Sequence, residues 1–170
     1  TILGYDASEN KSIKILLKKG IDVINKLSLK SIPDYMKKDD VIVVYTPAIP
    51  DDNIFLKYFR KNGNNQIYKR SEMLGEISRQ SKCIAVAGTH GKTTTSAIIS
   101  HLFHSSGIHF KAFIGGIMKC FDSNFINTGN DYIIVEADEY DRSFLNLNPN
   151  YAVITSIESD HLDIYGDFKS

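Results

Sequence analysis

A glycine- and threonine-rich stretch near the middle of the chain decides the fold, and it reads Ala87-Gly88-Thr89-His90-Gly91-Lys92-Thr93-Thr94-Thr95. The apolar run 83–87 before it predicts a buried strand, and the residues after it predict a helix from Lys92 to about residue 106. A loop between a strand and a helix suits an anion, because backbone N–H groups and the helix N-terminus point toward it. The sequence therefore predicts a phosphate-binding loop.

Two side chains give this loop its expected chemistry. Lys92 can reach the outer phosphates of a nucleotide, and the hydroxyl of Thr93 can bind Mg²⁺. The spacing departs from the usual G-x-x-x-x-G-K-[ST], because Val86 stands where the first glycine would be. The alternative is a glycine turn before a helix with an exposed lysine, but the strand–loop–helix setting favours a nucleotide site. Its candidate residues are Gly88, Thr89, His90, Gly91, Lys92, Thr93 and Thr94.

An acidic segment follows a second apolar run. Residues 132–135 predict a strand, and the next six residues are Glu136-Ala137-Asp138-Glu139-Tyr140-Asp141. Carboxylates at the carboxyl end of a strand lie where open α/β sheets place their ligands, and Mg²⁺ prefers oxygen ligands. A solvated acidic turn is the alternative. Beside a phosphate loop, Glu136 is the better candidate for a metal ligand.

A histidine follows a third predicted strand, residues 151–155, in the segment Ser159-Asp160-His161-Leu162-Asp163. A lone histidine is more often structural or merely exposed. Its place at a strand end makes His161 a candidate metal ligand, together with Thr93 and Glu136. His90, inside the loop, is an open candidate for a substrate or phosphate contact.

Alternating strands and helices along the chain predict an α/β fold with a parallel sheet and helices on its faces. We expect Asp6 or Ser8 to cap the first helix, and the apolar run 40–45 to be a strand covered on both faces. Gly115-Gly116 is expected to open a loop after a strand at 111–114. A boundary between two units is placed at residues 81 and 82.

Composition restricts the function. The chain has 20 Lys plus Arg and 20 Asp plus Glu, so it carries no basic excess for nucleic acid. No apolar run reaches the roughly 18 residues of a membrane-spanning helix, and the two cysteines do not form a disulfide framework. We therefore expect a cytoplasmic protein without nucleic-acid or membrane partners. The first residues resemble the end of a strand, so we expect a fragment.

The three motifs, in this order, resemble those of the Mur ligases: Gly-Thr-His-Gly-Lys-Thr-Thr, Glu-Ala-Asp-Glu-x-Asp and Asp-His-Leu-Asp. The resemblance covers nearly the whole chain. It implies that residues 1–81 form a Rossmann-like UDP-binding domain without its first strand and Gly-rich turn. It also implies that residues 82–170 form an incomplete P-loop-type ATPase domain. Tyr140 stands where many members have Ser, and Ser156 and Ser159 stand near positions that are often Asn and Ala.

The resemblance further implies an ATP-dependent ligase that joins L-alanine to UDP-N-acetylmuramate through an acyl phosphate, with Mg²⁺. Lys92, Glu136 and His161 would be the catalytic residues. Asp6, Thr46 and Pro47 would contact the UDP portion of the substrate. Two alternatives stay open: a ligase that reattaches recycled murein tripeptide to UDP-N-acetylmuramate, and a non-catalytic nucleotide-binding module.

Overall fold

A computed structural model describes residues 1–38, 40–62, 65–138 and 140–158. These residues form two compact units, Thr1–Lys69 and Arg70–Ser170. The second unit begins with a helix that the sequence boundary at 81 and 82 had left in the first. That helix belongs with the later residues because its Leu74 and Ile77 pack against their core.

The first unit alternates short strands and helices. Its elements are β1 (Leu3–Tyr5), α1 (Lys11–Lys18), β2 (Asp22–Ile24), β3 (Ile42–Tyr45), α2 (Ile54–Lys61) and β4 (Gln66–Lys69). Among the described residues, β1 pairs with β2 and β3 pairs with β4, and both pairs are parallel. Short 3₁₀ turns at Leu29–Ser31 and Asp34–Met36 lie between β2 and β3.

Two expectations for this unit were wrong. Helix α1 is capped by Asn10, whose side chain accepts from the amide of Ile13, and not by Asp6 or Ser8. Asp6 instead accepts from Ser8, which fixes the preceding turn. Strand β3 is not covered on both faces, because Ile42 and Val44 are 57% and 48% exposed.

The second unit is a sheet with helices. Its elements are α3 (Arg70–Ser78), β5 (Lys82–Ala87), α4 (Lys92–Ser105), β6 (Phe110–Met118), β7 (Ser123–Asn127), β8 (Tyr132–Glu136), a 3₁₀ helix (Tyr140–Asn146) and β9 (Tyr151–Ile154). Among the described residues the strand order is β7-β6-β8-β5-β9. Strands β6, β8, β5 and β9 are parallel and β7 is antiparallel. The predicted α/β class is confirmed.

The core lies on both faces of the central strands β5 and β8. On one face Ile84 and Ile134 pack with Phe110 and with apolar residues of α4. On the other, Cys83 and Val135 pack with residues of α3. Consecutive residues of both strands are therefore buried, as expected for parallel strands with helices on each side.

The segment around Gly115-Gly116 differs from the expectation. It does not open a loop, because β6 continues through both glycines to Met118. The extension is paired with β7, and the register shifts between Phe113 and Met118. The sequence did not indicate β7, since this edge strand is mostly polar and exposed.

No helix in the part of the chain that the structure describes has the length and apolarity needed to cross a membrane.

Candidate nucleotide and metal site

The glycine-rich loop joins the carboxyl end of β5 to the amino end of α4. Gly91 is the N-cap of α4 and has a left-handed backbone with φ of 83°. Its carbonyl accepts from the amide of Thr95, the first helical bond. The positive end of the helix dipole and the first amides of α4 therefore face the loop, which is the arrangement that binds a phosphate.

Thr93 and Glu136 meet across two adjacent strands. Strands β5 and β8 are parallel, and Val86 pairs with Glu136, so both strands end at the same edge of the sheet. The Thr93 hydroxyl donates to Glu136 Oε2 at 3.1 Å. A hydroxyl and a carboxylate oxygen at this separation are hard oxygen ligands of the kind that Mg²⁺ takes.

Gly115 orients the carboxylate of Glu136, and the sequence did not predict this role. The amide of Gly115 donates to Glu136 Oε1 at 2.9 Å. A Cβ at Gly115 would lie 3.0 Å from Glu136 Oε2, and one at Gly116 would lie 3.0 Å from Thr93 Cγ2. The Gly-Gly pair was the available signal, but it was interpreted as a loop and not as a close approach to the site.

Within the described residues no group of three or more His, Cys, Asp or Glu side chains converges on one point. A protein site that supplies one carboxylate and one hydroxyl still fits Mg²⁺, because this ion keeps water and nucleotide phosphate among its ligands. The donor set of Thr93 and Glu136 therefore fits a metal–nucleotide site better than a closed metal cage.

The Lys92 side chain folds over its own loop. Its Nζ donates to the carbonyl of Gly88 at 2.5 Å and approaches the carbonyl of Thr89 at 3.4 Å. These two carbonyls hold the ammonium group at the mouth of the loop, beside the amino end of α4. A phosphate bound there would replace two neutral acceptors by charged oxygens, which are stronger partners.

The segment after β9 also forms hydrogen bonds with the glycine-rich loop. The amide of Thr89 donates to Ser156 O at 3.1 Å, and the amide of His90 donates to Ser156 Oγ at 3.0 Å. His90 Nε2 lies 3.7 Å from a carboxylate oxygen of Glu158. His90 is thus placed beside an acidic side chain. His161 lies outside the described residues, and so does Glu139.

A protein-family model matches the part of the chain that contains this site. The model of the Mur ligase middle domain matches residues 86–170, which is half of the chain. The chain belongs to the Mur ligase family. The predicted resemblance is confirmed, and the matched region contains the loop, Thr93, Glu136 and the segment after β9.

Mur ligases similar to this chain are known in sequence and in structure. A UDP-N-acetylmuramate–L-alanine ligase of Cytophaga hutchinsonii is 45% identical over 172 residues, covering 98% of this chain and 37% of that protein. The crystal structure of a UDP-N-acetylmuramate-alanine ligase from Thermotoga maritima matches 97% of this chain and 37% of its own, with a TM-score of 0.82 and 31% identity.

A third relative carries a different name. It is the crystal structure of a UDP-N-acetylmuramate:L-alanyl-gamma-D-glutamyl-meso-diaminopimelate ligase from Neisseria meningitides, with a TM-score of 0.82 and 25% identity. It covers 98% of this chain and 56% of its own. The chain spans a little more than a third of the length of the curated Mur ligases that it matches, 37% in the first two.

The remaining candidates of this Mur ligase chain lie in the first unit. Asp6 follows β1, and the pKa of its carboxyl is lowered because the backbone amide and then the hydroxyl of Ser8 donate to it. Thr46 and Pro47 follow β3, where the Thr46 carbonyl accepts from the amide of Ile49. All three residues lie at the carboxyl ends of parallel strands, the edge where such sheets bind ligands.

Proposed function

We propose that this chain is part of an ATP-dependent ligase that joins L-alanine to UDP-N-acetylmuramate, as in the synthesis of peptidoglycan precursors. The observation that carries the proposal is the contact between Thr93 and Glu136 beside the Lys92 loop. The names of the relatives at 45% identity support the choice of substrates. ATP and UDP-linked sugars are intracellular, so we also propose that the enzyme works in the cytoplasm.

The reaction begins with transfer of the γ-phosphoryl group of ATP to the lactyl carboxylate of UDP-N-acetylmuramate. The amine of L-alanine then attacks the acyl phosphate, an amide forms, and phosphate leaves. Phosphoryl transfer asks little covalent chemistry of the protein, so positioning and charge neutralisation dominate. Lys92 would leave the carbonyls of Gly88 and Thr89 and bind the β- and γ-phosphates.

Mg²⁺, held by Thr93 and Glu136, would supply neutralisation of the phosphate charge. Glu136 would accept from Gly115 through one oxygen and keep the other toward Thr93, so its orientation is fixed before ligands bind. His161 stays the predicted ligand of a second ion near the substrate carboxylate. Asp6, Thr46 and Pro47 stay the predicted contacts of the UDP portion.

A second candidate is the ligase that attaches a recycled tripeptide. The Neisseria relative, which is named for that substrate, has the same TM-score as the Thermotoga one, and this favours keeping the alternative. The sequence identities, 31% against 25%, support L-alanine. A non-catalytic nucleotide-binding module is the third candidate function.

ATP consumption by the full-length protein separates these functions. The proposal predicts ADP release only when UDP-N-acetylmuramate and L-alanine are both present. ADP release that needs the tripeptide in place of L-alanine would support the recycling ligase. Nucleotide binding without ADP release under any combination would support the non-catalytic module and refute the proposal.

A further inference from the structure

The segment Thr155–Glu158, directly after β9, forms several hydrogen bonds with the phosphate loop. Thr155 donates its amide to the carbonyl of Ala87 at 3.0 Å, and its hydroxyl oxygen, which carries one proton, lies 3.1 Å from the same carbonyl. The same hydroxyl lies 2.5 Å from the carbonyl of His90. Glu158 donates its amide to the Thr89 hydroxyl at 3.0 Å. Hydrogen bonds to this segment therefore hold the loop at Ala87, Thr89 and His90.

The segment after β9 lies so close to the loop that position 88 has no room for a side chain. Gly88 has φ of +126°, a backbone conformation that residues with a side chain rarely adopt. A Cβ at this position would lie 2.3 Å from Thr155 Oγ1 and 2.8 Å from the amide nitrogen of Ser156. Gly88 is thus required by the residues after β9, independently of any nucleotide.

Each hydrogen bond between this segment and the loop fixes the orientation of one peptide group of the loop. In a trans peptide the C=O and the following N–H point in opposite directions. The amides of Thr89 and His90 point to Ser156, so the carbonyls of Gly88 and Thr89 point away from it, to Lys92. The Thr155 hydroxyl draws the His90 carbonyl toward β9, so the N–H of Gly91 points away from β9.

We propose that Thr155 and Ser156 are positioning residues of the nucleotide site. Thr155 orients the His90–Gly91 peptide so that the Gly91 amide faces the phosphates, and Ser156 engages the amides of Thr89 and His90. The phosphates are then bound by the amides from Gly91 to Thr94 and by Lys92. Thr89 and His90 were also candidates from the sequence, but their amides donate to Ser156. This inference rests on the proposed function, since it assumes that the loop binds ATP.

Thr155→Val tests the proposal, because it keeps the shape of the side chain and removes the hydroxyl. The bond to the His90 carbonyl is lost, and we expect the Kd for ATP, measured by calorimetry on the full-length protein, to rise about tenfold. Thr155→Ser restores a hydroxyl and should bring the Kd to within about threefold of wild type.

Thr128→Val is the matched control. The Thr128 hydroxyl also makes two backbone hydrogen bonds, accepting from the amide of Phe110 at 2.9 Å and donating to its carbonyl at 3.1 Å. Phe110 begins β6, so these bonds lie at the opposite edge of the parallel strands. Thr128→Val should lower thermal stability as much as Thr155→Val but leave the Kd for ATP unchanged.

The Kd values for ATP of these variants decide whether the proposal holds. An unchanged Kd in Thr155→Val, or an equal loss in Thr155→Val and Thr155→Ser, overturns the proposal while leaving the proposed function intact. If Thr155→Val does not fold, Ser156→Ala serves: it removes the acceptor of the His90 amide, and a Kd equal to wild type overturns the role of this segment. A folded wild-type protein that binds no ATP overturns both the proposed function and this inference.

Discussion

The hydroxyl of Thr93 and the carboxylate of Glu136 lie 3.1 Å apart, although 43 positions separate them in the chain. One residue lies in the first turn of α4 and the other at the last position of β8. Their contact exists because β5 and β8 are adjacent and parallel, so the loop after one strand meets the end of the other. The amide of Gly115 holds the second carboxylate oxygen. Three different elements, α4, β8 and β6, therefore hold the pair in place.

Glu136→Gln should lower ATP turnover by about 100-fold or more, because it removes the negative charge while keeping the size of the side chain. The Kd for UDP-N-acetylmuramate should stay within about twofold of wild type. Asp131→Asn is the control, since Asp131 is an exposed carboxylate just before the opposite end of β8. Equal turnover in Glu136→Gln and Asp131→Asn would contradict the assigned role of Glu136.

Lys92→Ala should abolish ligation, with turnover at least about 100-fold below wild type, because the ammonium neutralises charge that develops on the transferring phosphate. UDP-N-acetylmuramate should still bind, as its predicted contacts lie in the first unit. Lys82→Ala serves as the control: Lys82 begins β5 and its ammonium lies over the ring of Tyr132. A Lys92→Ala protein with half of wild-type turnover would refute the phosphate-loop assignment.

The sequence placed Lys92, Thr93 and Glu136 in one candidate site, and missed the groups that the structure brings into contact with that site. Lys92, Thr93 and Glu136 were found because each lies next to a buried strand whose apolar run is visible in the sequence. The Gly115 amide could not be found, since its role depends on β6 lying beside β8 and on a backbone group. Thr155 and Ser156 were missed because they contact residues more than sixty positions away in the chain.

The cap of helix α1 at Asn10 was missed because Asp6 and Ser8 are equally good capping residue types.

Gly88→Ala should destabilise the second unit more than Gly107→Ala. Both glycines have positive φ, +126° and +69°, so each substitution introduces backbone strain of about 1 kcal/mol or more. A Cβ at Gly88 also collides with Thr155 and Ser156, whereas one at Gly107 meets nothing within 4 Å. The difference in the free energy of unfolding, measured with urea, should exceed about 1 kcal/mol. Equal destabilisation would show that the segment after β9 does not press against the loop.

The two thiols should differ in reactivity at pH 8. Burial raises the pKa of the Cys83 thiol, against a smaller lowering by its hydrogen bond with Ser78, so less thiolate forms at this pH. Cys83 is also fully buried, whereas Cys120 is exposed. Iodoacetamide should therefore label Cys120 first, with Cys83 slower by about 100-fold or more until the protein unfolds. Rapid labelling of folded Cys120→Ser protein would contradict the buried position of β5.

The product formed by the full-length protein tests the central claim most directly. The protein is incubated with ATP, Mg²⁺, UDP-N-acetylmuramate and equal concentrations of L-alanine and L-alanyl-γ-D-glutamyl-meso-diaminopimelate, and the products are identified by mass spectrometry. We predict UDP-N-acetylmuramoyl-L-alanine, with one ADP formed for each amide bond and no product from the Lys92→Ala protein. Absence of any amide product, or a product that contains only the tripeptide, would contradict the account.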